Sequence, residues 1–283
     1  MDQVKMRLSI YLPDLPSDSD IGPLRDLLRS YSKIATGDMD SHIRRVRETA
    51  WDLTHDAFVG RWRFLCLRWR DDPCHGRVVA RLSRPRSRDV LLDLGCGVGI
   101  LLRKLRTAGV PGSRLIGTDV QARFIDLGYD LFRDRKSLGA SFVVGDMKDP
   151  KDKRLAKLSG KVTIIYAGKF FHLFSWAEQL YIGKRLMGFI KPDTANGLIY
   201  GMLIGVSRAA APTAAKTSMP YFHDADSFQR LWDEIGDSTG TRWRVKMEQT
   251  EQPAALLKRI AGDHFCPMRF EVEQDIAAAM SIV

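Results

Sequence analysis

An apolar run that stops at three alternating glycines constrains this chain more than any other feature: Val90-Leu91-Leu92-Asp93-Leu94-Gly95-Cys96-Gly97-Val98-Gly99. Val90, Leu91, Leu92 and Leu94 form the short apolar segment expected of a parallel strand whose sheet is covered on both faces. Glycines at every second position let the backbone approach a ligand where a Cβ would collide. An amphipathic run from Val98 to Arg106 follows at once. The unpaired N–H groups and positive end of a helix therefore face whatever the turn holds. The stretch predicts a nucleotide-type cradle at the end of a buried strand.

Beyond it the pattern repeats strand, helix, strand. Leu115–Asp119, Ser141–Asp146, Val162–Ala167 and Gly197–Leu203 read as further strands. Helices are expected after Asp119, with Phe124, Leu127, Leu131 and Phe132 toward the sheet, from Trp176 to Phe189, and from Asp224 to Ile235. Trp243–Met247 and Met268–Val272 alternate like strands and are expected to pair at the sheet edge. This alternation argues for an α/β fold with a doubly wound, mostly parallel sheet of seven strands.

Before the cradle, residues 1–20 carry two prolines and an acidic-serine run and read as a loose arm. Residues 21–84 are expected to form an N-terminal helical cap over the cradle. One helix follows Ser19-Asp20, with Leu24, Leu27, Leu28 and Tyr31 on its apolar face. A second starts near Asp38, with Asp40 and Ser41 as cap-type residues and Ile43, Val46, Ala50 and Leu53 together. Their opposite faces carry Arg25, Arg29, Arg44, Arg45 and Arg47. The segment from Phe58 to Trp69 reads as either strand or helix, and a further helix covers Cys74 to Leu82. The nucleotide-binding domain then occupies 85–274, with a mobile loop at 205–220 and a tail at 275–283.

Composition narrows the function. No apolar run approaches the roughly 18 residues of a membrane span, and the polar start Met1-Asp2-Gln3-Val4 lacks a signal-peptide core, so a cytoplasmic location is expected. The four cysteines show no CxxC grouping, which predicts reduced thiols and no metal centre. The net charge of +10 invites a nucleic-acid reading, but the basic residues are spread along the chain. Only Arg61-Trp62-Arg63 and Arg68-Trp69-Arg70 interleave charge with aromatics, so no nucleic-acid partner is expected.

Asp93-x-Gly95-x-Gly97-x-Gly99 resembles the first motif of the class I S-adenosyl-L-methionine-dependent methyltransferases. It does not fit the dinucleotide fingerprint GxGxxG, because Ile100 stands where the third glycine would be. Asp119 ends the second strand at an offset from Gly95 close to the roughly 20 residues at which an acid reaches a ribose. Its alternative role is to cap the following helix. Gly145-Asp146-Met147 ends the third strand, where the methyltransferase pattern puts an acid on the adenine amino group and an apolar neighbour on the ring. The resemblance extends cofactor contacts to Cys96, Val120 and Ala167.

After the fourth strand comes Tyr166-Ala167-Gly168-Lys169-Phe170-Phe171-His172-Leu173-Phe174-Ser175-Trp176. In the superfamily this loop faces the methyl acceptor, which makes His172 the catalytic candidate; its alternative is a structural or cofactor-cradling histidine. Tyr31, Phe58, Trp62, Phe171, Trp176 and Tyr221 are candidates to line an apolar acceptor pocket, although each residue type is also ordinary core. A phenol, with a pKa of about 10, would gain from a base, whereas a carboxylic acid is already ionised.

Phe124–Asp134, Ile164–Gly168 with Phe171-His172-Leu173-Phe174, and Ser227–Gly236 are similar to the small methyltransferases of fungal secondary-metabolite clusters, including meroterpenoid pathways. That resemblance implies O-methylation of a hydrophobic polyketide or terpenoid intermediate, on a carboxyl or phenol oxygen, leaving S-adenosyl-L-homocysteine. Two alternatives stand beside it: the same fold turned to cyclisation or isomerisation, and an RNA-modifying methyltransferase. The oligomeric state is left open, a homodimer being one arrangement.

Overall fold

The computed structural model describes residues 10–66, 73–192, 194–207, 218–250 and 264–275. In chain order the elements are α1 (Asp18–Ser30), α2 (Thr36–Thr54), the short α3 (Ala57–Gly60) and α4 (Pro73–Ser83). There follow β1 (Leu91–Leu94), α5 (Ile100–Thr107), β2 (Leu115–Asp119), α6 (Ala122–Phe132) and β3 (Ser141–Val144). The second half supplies β4 (Ile164–Tyr166), α7 (Trp176–Met187), β5 (Leu198–Val206), α8 (Ala225–Thr239), β6 (Trp243–Gln249) and β7 (Phe265–Gln274). The seven strands lie in the order β3-β2-β1-β4-β5-β7-β6. Pairing is parallel for β2/β3, β1/β4 and β4/β5, and antiparallel for β7 against β5 and β6. The expected edge pair is present, with Val245 opposite Val272. All four residues of β1 are buried, as its apolar run predicts.

The chain forms two compact units, Met1–Ser87 with Cys96–Val144, and Arg88–Gly95 with Gly145–Val283. In the first, the N-terminal helices share one core with α5 and α6 instead of standing apart. Ile21, Leu24 and Leu28 of α1, Met39, Ile43, Val46 and Ala50 of α2, and Leu127, Leu131 and Phe132 of α6 pack together. Each such aliphatic side chain contributes about 1.5–3 kcal/mol on full burial. A polar contact reinforces the docking of α2 on α6: His42 Nε2 lies 2.9 Å from the Leu131 carbonyl oxygen, and Arg45 Nη2 lies 2.9 Å from His42 Nδ1. That arrangement suits a neutral imidazole with its proton on Nε2.

Several expectations about this segment change. Helix α2 begins at Thr36, so Asp40 and Ser41 lie inside it and do not cap it. Arg47 is not on a solvent face: its side chain is only 1% exposed. Its guanidinium carbon sits 4.1 Å from the ring centroids of both Tyr11 and Trp62. Flat, weakly hydrated and delocalised, a guanidinium tolerates burial between aromatic faces as an ammonium would not. Residues 10–12 are not loose, because Leu12 N donates to the Gly60 carbonyl and Trp62 Nε1 to the Leu12 carbonyl, each at 2.9 Å. From Phe58 onward the chain forms α3 and a 3₁₀ turn at Arg63–Leu65 and no strand. Arg68, Trp69 and Arg70 lie outside the described residues, as do 208–217 of the expected loop and 276–283 of the tail. Strand β5 runs on to Val206, into the stretch expected to be loop.

Candidate cofactor and acceptor site

The glycine turn is tied to the end of β2. Cys96 N donates to the Thr118 carbonyl and Gly97 N to Asp119 Oδ2, both at 2.9 Å. Gly97 has φ +53°, a backbone state that only glycine adopts freely, and a Cβ built there would meet nothing within 4 Å. The turn therefore presents bare backbone to open space, the geometry of a cradle. The Asp119 Oδ1 accepts from Gln121 N at 2.9 Å, so the carboxylate supports the turn and also binds the residue that precedes α6. Burial raises its pKa, opposed by the backbone N–H groups of Gln121, Gly97 and Val120. Val120, beside it, is an apolar side chain left 58% exposed, a surface suited to the face of a purine. The acidic side chain at the strand end, the bare turn and the exposed valine fit the adenosyl group.

In the other unit, Asp93 is buried in β1 and Met147 is buried beyond β3. The loop that carries Asp146 and Met147, Gly145–Asp152, is held by two residues that the sequence did not single out. Asp146 N donates to Asp152 Oδ2 at 2.9 Å. Arg185, on α7, donates to the carbonyl oxygens of Asp146 (3.0 Å), Met147 (3.3 Å), Asp149 (2.9 Å) and Asp152 (2.6 Å). Arg154, hydrogen-bonded to Asp152, holds that carboxyl well below the usual carboxylate range. Asp146 itself accepts from Lys148 N at 2.8 Å. An arginine in the last turn of a helix serves its dipole, which is why Arg185 reads as ordinary in sequence.

Past β4, Ala167 is buried and donates its N–H to the Tyr200 carbonyl at 2.8 Å. Gly201 faces it so closely that a Cβ would lie 2.6 Å from the Ala167 oxygen. Lys169 has φ +58°, a strained state for a residue with a Cβ and one that recurs at functional loops. His172 follows in a 3₁₀ turn, Phe171–Leu173. Burial, together with the charge of Lys169, lowers its pKa to about 4. Its Nδ1 is buried without a hydrogen-bond partner among the described residues. An imidazole held neutral in this way is a feeble base.

The six aromatic candidates separate. Phe171 is fully buried among Phe170, Phe228, Trp232 and Phe270, with ring centroids 5.7–6.1 Å apart; it is core and leaves the acceptor set. Trp62 is likewise fully buried, against Arg47. Tyr31 donates its hydroxyl to Asp134 Oδ2 at 2.9 Å, and Phe58 is 41% exposed on the short α3. Trp176 and Tyr221 are brought together, 5.0 Å between centroids, beside the loop that carries His172: Tyr221 N donates to the Phe174 carbonyl at 2.9 Å.

That junction is pinned by Gln179 and His223, both missed in the sequence because their pairing spans more than forty residues. Gln179 Nε2 donates to the carbonyls of Phe174 (2.9 Å) and Tyr221 (3.0 Å), while its Oε1 lies 3.1 Å from His223 Nε2. His223 Nδ1 lies 3.1 Å from Ser227 Oγ. Burial lowers the His223 pKa to about 3 from an ordinary 6.5. As pH falls the unfolded chain takes the proton first, so stability is lost from about 6.5 down to about 3 and not above that window. His42 and His172 shift in the same direction. The melting temperature is expected to fall between pH 7 and pH 4 by the equivalent of a few kcal/mol, and by less in His223→Gln; a flat profile in the wild type would contradict this.

Comparison with known proteins identifies the family. A family model described as the meroterpenoid methyltransferase N-terminal domain matches residues 10–65, and one described as a methyltransferase domain matches 91–193. The O-methyltransferase phiE of a fungal species is 33% identical over 246 residues, covering 87% of this chain and 81% of that protein. Methyltransferase adrK of Penicillium roqueforti is 32% identical, covering 89% and 88%. Methyltransferase trt5 of Aspergillus terreus is 34% identical, covering 83% of each. The chain belongs to the class I S-adenosyl-L-methionine-dependent methyltransferases, among the fungal meroterpenoid methyltransferases.

Proposed function

We propose that this methyltransferase acts on oxygen, and that its acceptor is the carboxylate of a hydrophobic polyketide or terpenoid intermediate. The observation that carries the choice of atom is His172. With a pKa near 4, it lies about six units below a phenol, so proton transfer to it would cost on the order of 8 kcal/mol. A carboxylate needs no such step. S-adenosyl-L-methionine supplies an activated methyl group on a sulfonium, and positioning does much of the remaining work.

In this account Gly95, Gly97 and Gly99 hold the methionine portion, Asp119 the ribose and Asp146 the adenine, with Asp93, Cys96, Val120, Met147 and Ala167 completing the contacts. His172 helps to position the acceptor, and Trp176, packed on the buried Tyr221, supplies an apolar wall. Among the described residues, no helix is long and apolar enough to cross a membrane.

The test is the pH dependence of turnover. With a hydrophobic aromatic acid, kcat/KM is expected to be flat from about pH 6 to 9, and His172→Asn to retain activity within about tenfold. A rate that climbs tenfold per pH unit would instead identify an acceptor that must first ionise, and loss of about a thousandfold in His172→Asn would identify deprotonation by this histidine.

A further inference from the structure

The glycine turn is supported from behind by a buried ion pair. Arg103, on α5, is fully buried, and its Nε and Nη2 donate to Asp134 Oδ2 and Oδ1, both at 2.9 Å. Its third nitrogen, Nη1, donates to the carbonyl oxygens of Val98 at 3.0 Å and Gly99 at 3.2 Å. A Cβ on residue 99 would overlap that nitrogen, so glycine there makes room for the arginine as well as for the turn. Asp134 is itself 2% exposed and receives one more donor, the Tyr31 hydroxyl from the C-terminal end of α1, at 2.9 Å. Burial and the neighbouring carboxylate raise the Tyr31 pKa, which keeps the hydroxyl a donor.

A guanidinium presents its donors in a rigid fork, so its orientation is fixed once two of its nitrogens are bound to one carboxylate. Here that fork aims Nη1 at the two carbonyls that close the turn. The carboxylate is in turn oriented by a side chain of the N-terminal helices. We infer that Tyr31, Asp134 and Arg103 form a relay of positioning residues through which docking of the N-terminal helices sets the affinity of the glycine turn for S-adenosyl-L-methionine. Tyr31 thereby acts on the cofactor side and not as an acceptor contact. The inference rests on the reading that the turn holds the cofactor.

Tyr31→Phe removes one oxygen and leaves the ring packed against Phe132, 6.4 Å away between centroids, so it is the variant least able to disturb folding. By calorimetry its Kd for S-adenosyl-L-methionine is expected to rise about threefold to tenfold. The KM for the cofactor should rise in step, while kcat at saturating cofactor changes less than twofold and the protein stays folded. Combined with Asp134→Asn, Tyr31→Phe should add little further loss, because both act on one contact. An unchanged Kd with a lowered melting temperature, or a raised KM confined to the acceptor, would overturn the relay. Gly97→Val serves as the separate control: if it binds the cofactor as tightly as the wild type, the turn is not the cofactor site and the underlying reading fails instead.

Discussion

Asp119→Ala is expected to weaken S-adenosyl-L-methionine binding by about a hundredfold to a thousandfold, measured by calorimetry. A ribose offers two hydroxyl donors, and hydrogen bonds to a charged acceptor contribute about 1.5–3 kcal/mol each. A total of roughly 3–4 kcal/mol corresponds to that range at 1.4 kcal/mol per tenfold. The loss has a second source in this protein, because the same carboxylate accepts the Gly97 N–H at 2.9 Å. Alanine would free the turn as well as the sugar. Asp119→Asn keeps an acceptor for Gly97 and should lose nearer tenfold. Equal affinity in the alanine variant and the wild type would remove Asp119 from the cofactor site.

Phe171→Ala is expected to cost about 3–5 kcal/mol of folding stability, the largest structural effect among the aromatic candidates. The ring is fully buried, edge-on to Phe228, Trp232 and Phe270, and its removal leaves a cavity between α8 and the β7 face of the sheet. Urea or thermal unfolding should show the loss, with the KM for the acceptor little changed while the protein remains folded. Undiminished stability with a raised acceptor KM would return Phe171 to the acceptor wall. His172, its neighbour in sequence, should behave in the opposite way, altering kinetics with little effect on stability.

The parallel sheet was legible because its strands are short apolar runs ending in glycine or aspartate. The capped helices were legible because their apolar spacing is regular. Asp119 and Asp146 stood out as candidates because strand ends are where such a sheet binds ligands. The buried arginines were not found, since the charge on a residue argues for solvent unless its partner is known. For Arg103 that partner is 31 residues away, and Tyr31 lies 103 residues from the same carboxylate. For Arg47 a signal existed: it stands four residues after Ile43 and three before Ala50, on the apolar stripe of α2. Spacing placed it inside, and composition wrongly placed it outside. The aromatic run Phe170-Phe171 could not be divided by sequence, because core and pocket draw on the same residue types.

Methyl transfer to a carboxylate oxygen leaves a methyl ester, which alkali cleaves. The most direct measurement incubates the purified protein with S-adenosyl-L-methionine carrying a deuterated methyl group and a panel of prenylated aromatic acids. Mass spectrometry then follows the label before and after mild alkaline hydrolysis. The account predicts a labelled product that loses its label on hydrolysis as deuterated methanol and regenerates the starting acid, the behaviour of a methyl ester. A label that survives hydrolysis, as in an aryl ether or a C-methyl product, or a product formed without label, would contradict it.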